Sequence, residues 1–210
     1  MIPAKADPEK QAEFVKNELE PRLAEAKAGK RAVFFVDSAH FVLSAFLGFL
    51  WSFKRIFIQS PSGRQRFNVL GALNAITHEM ITVVNDTYIT SESVCALLEK
   101  LAALKLGIPM TIFLDNARYQ RCNLVIEKAK SLQIELCFLP SYSPNLNLIE
   151  RVWKFVKKKC LYSKYYEKFP AFKSAISNCL SELSSTHKSE LSSLLSLRFQ
   201  LFQKAQSMPV

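Results

Sequence analysis

The chain has 210 residues, of which 49% are hydrophobic and 22% are charged. This balance excludes intrinsic disorder and low-complexity sequence, because it can fill a sizeable core. The formal net charge of +10 favours a polyanionic partner, either a nucleic acid or an acidic membrane face. The surplus is uneven: residues 151–210 hold 11 basic and 3 acidic side chains, and residues 1–150 hold 17 and 15. A solvated basic helical face is the plainer explanation of this split.

The five cysteines are odd in number, widely spaced and never arranged as CxxC, which argues against a zinc site and a disulfide framework. They are predicted to be small buried side chains in a reducing cytosol. The amino-terminal segment has no apolar stretch typical of a signal peptide. The longest apolar run, 41–53, is too short to span a bilayer and is interpreted as a buried hairpin or core segment. We therefore expect a soluble, cytoplasmic protein with no membrane partner.

The first half of the chain reads as one helix followed by a group of strands. A polar helix is predicted over 8–28, capped by Asp7 and stopped by Gly29, as a connecting or peripheral element. The β-branched and aromatic runs that follow predict antiparallel strands joined by short turns. These strands are expected at 31–37, 56–59, 67–75 and 80–85, with a turn at 60–63.

The second half alternates between helical and strand patterns. The predicted order is a helix at 91–106, a strand at 109–115, a helix at 121–132, a strand at 134–139 and helices at 147–161, 170–185 and 189–206. A meander followed by alternating elements predicts an α/β fold, with a mixed sheet flanked by helices and extra helices at the carboxyl terminus.

Two predicted strands end in an aspartate after an apolar run, at Asp37 and Asp115. In open α/β sheets, functional sites form beyond the carboxyl ends of the strands. An aspartate at a strand end more often caps a turn, so either residue alone would favour that structural role. The two together with a third acid favour a site.

The third acid is Glu150, at the start of a predicted helix. Asn147 and Glu150 have the spacing of a capping box, which is a purely structural explanation. On a helical wheel Lys154 and Lys157 lie within about 40° of Glu150. The geometry fits a metal ligand beside a phosphate path and a surface Glu–Lys pair equally well.

Three carboxylates suit a hard divalent cation such as Mg²⁺, which prefers oxygen ligands. Two such ions can promote phosphodiester cleavage without a base from the protein, in keeping with the small number of histidines. His40, three residues after Asp37, is within reach of such a site. A lone histidine is more often a packed or hydrogen-bonded residue.

Three segments carry a family likeness: VDSAHF at 36–41, LDNARYQR at 114–121 and LPSYSPNLNLIERVWKFVK at 139–157. Together they resemble the DDE transposases of the Tc/mariner superfamily, nearest to the bacterial insertion-sequence branch. The 34 residues between Asp115 and Glu150 also fit that branch. The likeness covers roughly residues 31–165. Gln120 departs from the pattern, since a histidine often follows the Asp-Asn-Ala turn.

The resemblance implies a ribonuclease H-like fold and a site for two Mg²⁺ (or Mn²⁺) ions built from Asp37, Asp115 and Glu150. It further implies nicking at transposon ends and strand transfer into target DNA. His40, Asn116 and Asn147 are candidates to support the ligands. The basic side chains expected to contact DNA phosphates are Arg151, Lys154, Lys157, Lys158 and Lys159.

The division expected from the resemblance is a connecting helix at 1–30, a catalytic domain at 31–165 and a helical extension at 166–210. Related enzymes usually carry helix-turn-helix modules that find the transposon ends, and the chain has room for one helix before its first strand. We therefore expect a catalytic domain alone, from a split gene or a truncated remnant. The expected partners are double-stranded DNA, a separate helix-turn-helix polypeptide and a second copy of the chain.

Two alternatives to this function stay open at the level of sequence. The first is a non-catalytic DNA-binding or assembly fragment that serves a transposase in trans through its lysines. The second is a ribonuclease H-like nuclease unconnected with transposition, which differs only in substrate.

Overall fold

A computed structural model describes residues 5–43, 53–57 and 65–201. Its centre is a mixed sheet of five strands in the order β3-β2-β1-β4-β5. The strands are β1 (Ala32–Leu43), β2 (Gln65–Asn74), β3 (Met80–Asn85), β4 (Met110–Leu114) and β5 (Ile134–Phe138). β1, β2 and β3 are antiparallel neighbours, whereas β4 and β5 run parallel to β1.

Helices cover both faces of the sheet. They are α1 (Pro8–Phe14), α2 (Glu20–Lys27), α3 (Ser91–Ala102), α4 (Asn123–Ser131), α5 (Ile149–Cys160), α6 (Phe169–Ser181) and α7 (Lys188–Leu194), with a π-helical turn at Val15–Leu19 and a 3₁₀ turn at Pro144–Leu146. The larger core cluster joins one face to α1, α2, α5 and α6. The smaller cluster joins the other face to α3 and α4. In the described part of the chain, no helix is both long and apolar enough to cross a bilayer.

β1 is the central strand, and it is longer than predicted. Its first part pairs with β4 in parallel and ends at the pair Val36–Leu114, while its pairing with β2 continues to Leu43. The prediction that the strand ends at Asp37 is therefore wrong. Alternate residues after Asp37 (Ala39, Phe41 and Leu43) are buried, so one face of this part of the strand also packs against the core.

The amino-terminal helical segment packs into the larger core and is not peripheral. Its buried stripe consists of Val15, Leu19, Leu23 and Ala26. Asp7 caps α1 as predicted, accepting hydrogen bonds from the amides of Glu9 and Lys10. The π-helical turn ends at Leu19, two residues before Pro21, which has no amide hydrogen to donate to the ordinary helical hydrogen bonds.

The apolar run at 41–53 is predicted to be buried, which holds for Phe41 and Leu43 in β1 but not for Phe53, and the strand predicted at 56–59 is absent from its described residues 56 and 57. Phe53, Ile56 and Phe57 are exposed and lie outside any strand. Residues 44–52 and 58–64 lie outside the described ranges, and the predicted turn at 60–63 falls among them.

The last predicted helix, 189–206, is also shorter in the structure, where α7 ends at Leu194. The side chain of Arg151 donates hydrogen bonds to the carbonyl groups of Leu194, Ser196 and Arg198. A continuing helix would use these carbonyl groups for its own backbone hydrogen bonds. A tertiary contact therefore replaces the local one. Residues 202–206 lie outside the described ranges.

Candidate active site

Asp37 and Asp115 lie side by side at one edge of the sheet. Val36 and Leu114 form the last parallel pair of β1 and β4, so the next residue on each strand is an aspartate. Side chains alternate along a strand, which puts Asp37 on the same face as Phe35 and the larger core. Asp115 follows the end of its strand as the sequence predicts, whereas β1 continues past Asp37.

Glu150 reaches the same region from the first turn of α5. The pKa of Asp37 is raised to about 7, mainly by burial and then by the negative charges of Glu150 and Asp115. The pKa of Glu150 is raised by burial and then by Asp115, while Lys154 and Lys157 oppose the shift. Burial is also the main cause that raises the pKa of Asp115. The structure thus brings the three predicted acids within electrostatic reach of one another.

These three carboxylates are not neutralised by salt bridges. Among the ion pairs of the described residues, none includes Asp37, Asp115 or Glu150. In the same ranges, no three His, Cys, Asp or Glu side chains are close enough together to hold a single metal ion. The site is therefore a spread of carboxylates without a salt bridge in the described ranges, and not a closed cage.

Asn147 supports the acids in a way that differs from a helix cap. α5 begins at Ile149, and the Asn147 amide donates its hydrogen bond to the carbonyl of Val36 at 3.2 Å. A side-chain hydrogen bond from Asn147 lowers the pKa of Asp115, against the effect of burial. Asn147 is buried, and its Oδ1 atom has no hydrogen-bond partner among the described residues. The capping-box interpretation of Asn147 and Glu150 is therefore wrong.

Asn116 and His40 do not contact the three acids in the structure. The Asn116 amide donates to the carbonyl of Leu139 at 2.5 Å and so ties the end of β4 to the end of β5. His40 is an odd number of residues from Asp37 on the same strand, so it projects from the opposite face. Its Nδ1 atom lies 2.7 Å from Oδ1 of Asn68. His40 is thus separated from the carboxylates by the sheet.

Two residues at the site are missed by sequence reasoning. The indole nitrogen of Trp153 donates a hydrogen bond to Oδ2 of Asp37 at 3.0 Å. From the sequence, Trp153 belongs to the apolar stripe of α5 and is predicted to be an ordinary core residue. The hydroxyl of Tyr119 lies 3.4 Å from that of Ser38, and its pKa is raised mainly by burial, with further contributions from Asp37 and Asp115. Tyr119 belongs to the LDNARYQR segment, which is the one signal that points to it.

The predicted basic side chains divide into two groups. Lys154, Lys157 and Lys158 are exposed on α5. Arg151 instead binds three carbonyls of the segment after α7 and lies over the ring of Phe199, while Lys159 pairs with Glu190 of α7 at 2.8 Å. The prediction of a phosphate contact at Arg151 and Lys159 conflicts with these intramolecular roles. Of the exposed group, Lys154 and Lys157 act electrostatically on Glu150.

The sequence matches the family described as DDE superfamily endonuclease over residues 32–173. The chain belongs to this family, since the match covers more than half of it. No curated protein matches the chain.

Several solved structures share the fold. The structure of the Mos1 transposase paired-end complex with left transposon end gives a TM-score of 0.61 at 10% identity, over 93% of this chain and 65% of that chain. The Mos1 transposase catalytic domain, solved with Raltegravir and Mn, gives 0.54 at 14% identity over 94% and 100%. A simian T-cell lymphotropic virus intasome, in complex with PP2A regulatory subunit B56 gamma, gives 0.52 at 19% identity over 73% and 48%.

These likenesses concern the fold, and they identify the mixed sheet with flanking helices as ribonuclease H-like, as predicted. The chain spans less than two thirds of the length of the first Mos1 transposase chain, at 65%.

Proposed function

We propose that this protein is the catalytic domain of a transposase, which nicks DNA and transfers strands with the help of divalent metal ions. The observation that carries the proposal is that Asp37, Asp115 and Glu150 lie within electrostatic reach of one another at one edge of the sheet, with no salt bridge to any of them among the described residues. Membership of the endonuclease family supports the same function.

The donor set fits magnesium or manganese. Mg²⁺ is usually held by one or two carboxylates, with water and substrate phosphate oxygens as the other ligands. Carboxylates spread over β1, β4 and α5 match that need better than a cage around one ion would. The buried Oδ1 of Asn147 without a partner adds a further polar atom beside Asp115. We propose that Asp37, Asp115 and Glu150 hold two ions between them.

Bound divalent ions activate water or a hydroxyl group and stabilise the leaving oxygen in phosphodiester cleavage. The chain itself supplies the orientation. Asn147 holds the end of β1 through Val36, and Asn116 holds the loop after β5, so that the aspartates sit on fixed backbone. Lys154 and Lys157 lie beside Glu150 and are free to bind the phosphates on either side of the reacting bond.

The finer identity rests on the motif residues. The segments at 36–41, 114–121 and 139–157 support the insertion-sequence branch of the Tc/mariner transposases. We extend the proposal to double-stranded DNA, a separate helix-turn-helix polypeptide and a second copy of the chain as partners. The division at 30 and 165 and a cytoplasmic location belong to the same proposal; the five free cysteines support a reducing compartment.

The direct test is nicking of supercoiled plasmid DNA by the purified chain with Mn²⁺, compared with Asp115→Asn. The variant should lose at least about 1,000-fold in nicking rate, because metal-assisted charge stabilisation contributes several kcal/mol and each 1.36 kcal/mol is tenfold. Asp86→Asn is a matched control, because Asp86 is an aspartate that forms a salt bridge with Lys173. We expect this variant to leave the nicking rate unchanged. Equal nicking by Asp115→Asn would contradict the site.

A second candidate function is a non-catalytic DNA-binding fragment that works in trans. The observation that favours it is the lack of a compact three-ligand group among the described residues. Calorimetric titration with Mn²⁺ separates the two functions. Absence of binding that depends on Asp37 and Asp115 would favour the silent fragment.

A further inference from the structure

Trp153 reaches from α5 to the first carboxylate of the site. Its side chain is buried, with an exposed fraction of 2%, and its indole nitrogen donates to Oδ2 of Asp37 at 3.0 Å. The ring meets Phe41 of β1 edge to face, with centroids 6.3 Å apart. Packing on one side and a hydrogen bond on the other leave this side chain with a single orientation.

Gly71 makes this position available. In the β1–β2 register Gly71 stands directly opposite Asp37. A Cβ atom on Gly71 would lie 2.9 Å from Cη2 of Trp153 and would overlap Cε of Met80. A strand-interior glycine often marks a close approach, and here the missing side chain lets the indole pass over β2 to reach β1.

The type of donor matters at this site. An arginine or lysine would hold Asp37 and also neutralise it, whereas an indole N–H is uncharged and leaves the carboxylate its charge. The indole donates to Oδ2, and the backbone N–H of Ser38, which is also uncharged, is a second donor to this carboxylate. Trp153 is also three residues after Glu150 on the same helix, so one contact fixes α5 relative to β1.

We propose that Trp153, seated over Gly71, is a positioning residue that orients Asp37 for divalent metal binding and sets the placement of Glu150 relative to it. This inference rests on the proposed metal-dependent function. It adds a residue that the ligand set alone does not include. Partners of this kind, which hold a ligand from outside, typically change metal affinity 10–100-fold.

The test replaces the indole without changing its shape. In a Trp51→Phe background, biosynthetic incorporation of β-(3-benzothienyl)alanine puts sulfur in place of the Trp153 N–H and keeps the ring volume. We expect calorimetric Mn²⁺ affinity to fall about 10–100-fold while the melting temperature stays within a few degrees. Gly71→Ala should also lower Mn²⁺ affinity, because it displaces the indole without replacing any proposed ligand residue. If the protein with the Trp153 analogue binds Mn²⁺ within twofold of the affinity of the Trp51→Phe background protein, the proposal is overturned.

A second readout needs no metal and separates this inference from the proposed function. In metal-free ¹⁵N-labelled Trp51→Phe protein, the Trp153 indole proton should resonate downfield and exchange slowly, and Asp37→Asn should shift it upfield. An indole proton at the position typical of a free indole, unaffected by Asp37→Asn, would overturn the hydrogen bond itself. If the downfield proton is present but the parent protein binds no Mn²⁺, the proposed function fails and the positioning role fails with it, although the contact is real.

Discussion

The pKa values of carboxylates at two edges of the same sheet are shifted in opposite directions. At the amino end of β4 and β5, Glu135 accepts from Arg22 at 2.6 Å, from Arg31 at 2.8 Å and from the hydroxyl of Thr111 at 2.5 Å. The hydrogen bond from Arg22 is the main cause that lowers the pKa of Glu135 to about 2. At the carboxyl end, burial and neighbouring acids raise the pKa of Asp37 to about 7.

The difference separates a structural carboxylate from one that we propose to be functional. The Glu135 network joins α2 and β1 to β4 and β5, and its charges are fully paired. Asp37 has a neutral donor and acidic neighbours, which costs stability in the absence of a cation. Perturbed acids that lack a partner cluster at functional sites, because the missing partner is the ligand.

The largest effect that sharpens this comparison concerns the unpaired lysines at the carboxyl edge. Lys154→Gln with Lys157→Gln should lower affinity for duplex DNA roughly 10–100-fold near 0.1 M salt, because two phosphate contacts are lost and the salt slope falls by about 1.8. Fluorescence anisotropy at several salt concentrations measures both quantities. A slope equal to that of the parent protein would break the link between these lysines and DNA.

Arg151→Gln is the control for the lysine variant, since it also removes one positive charge from α5. Its guanidinium is already bonded to the carbonyls of Leu194, Ser196 and Arg198. The salt slope should therefore stay unchanged, while backbone amides after α7 exchange faster with solvent. A reduced slope with unchanged exchange would mean that Arg151 acts on DNA and not on this segment.

The next prediction concerns two isosteric substitutions that should change the free energy of unfolding in opposite directions. In EDTA near pH 8, Asp37→Asn should raise the free energy of unfolding by about 1–2 kcal/mol, because it removes a buried charge among like charges while the Trp153 donor keeps an acceptor. Glu135→Gln should lower it by about 1 kcal/mol, a modest value because water screens these partly exposed pairs. Urea unfolding measures both, and effects of the same sign would break the contrast between the edges.

The smallest effect is the acid dependence of the Glu135 edge. The folded-state pKa of Glu135 is lowered, so its stabilising contribution is complete above the unfolded pKa of about 4.3 and is lost as the pH falls toward 2. The difference in urea midpoint between the parent protein and Glu135→Gln should therefore shrink from pH 6 to pH 2.5. A difference that is constant over this range would show that the ion pairs do not stabilise the fold.

Much of this architecture follows from local sequence patterns. The apolar runs before Asp37 and Asp115 predict β1 and β4 as strands, and the stripe that contains Trp153 predicts the buried face of α5. Each depends on residues close together in the chain, which periodicity captures. Local patterns leave the role of Glu150 open, and the resemblance to a family is what groups the three acids as a proposed site; the family match covers all of them.

The rest depends on contacts between distant residues. The hydrogen bond from Trp153 to Asp37 joins residues 116 positions apart, and its path requires Gly71 on a third element. α7 ends earlier than predicted because Arg151 competes for the carbonyl groups at and after its end. His40 is kept away from the three acids because side chains alternate along β1, a strand that continues beyond its apolar first part. None of these partners is visible in local propensity.

The central claim is that the carboxyl edge of the sheet is a divalent metal site. Calorimetric titration of the metal-free chain with Mn²⁺ tests it most directly, with Asp115→Asn as the site variant and Asp86→Asn as the matched control. The account predicts binding by the parent protein and by Asp86→Asn, and loss of binding in Asp115→Asn. Binding of equal strength in all three proteins, or no binding in the parent protein, would contradict it.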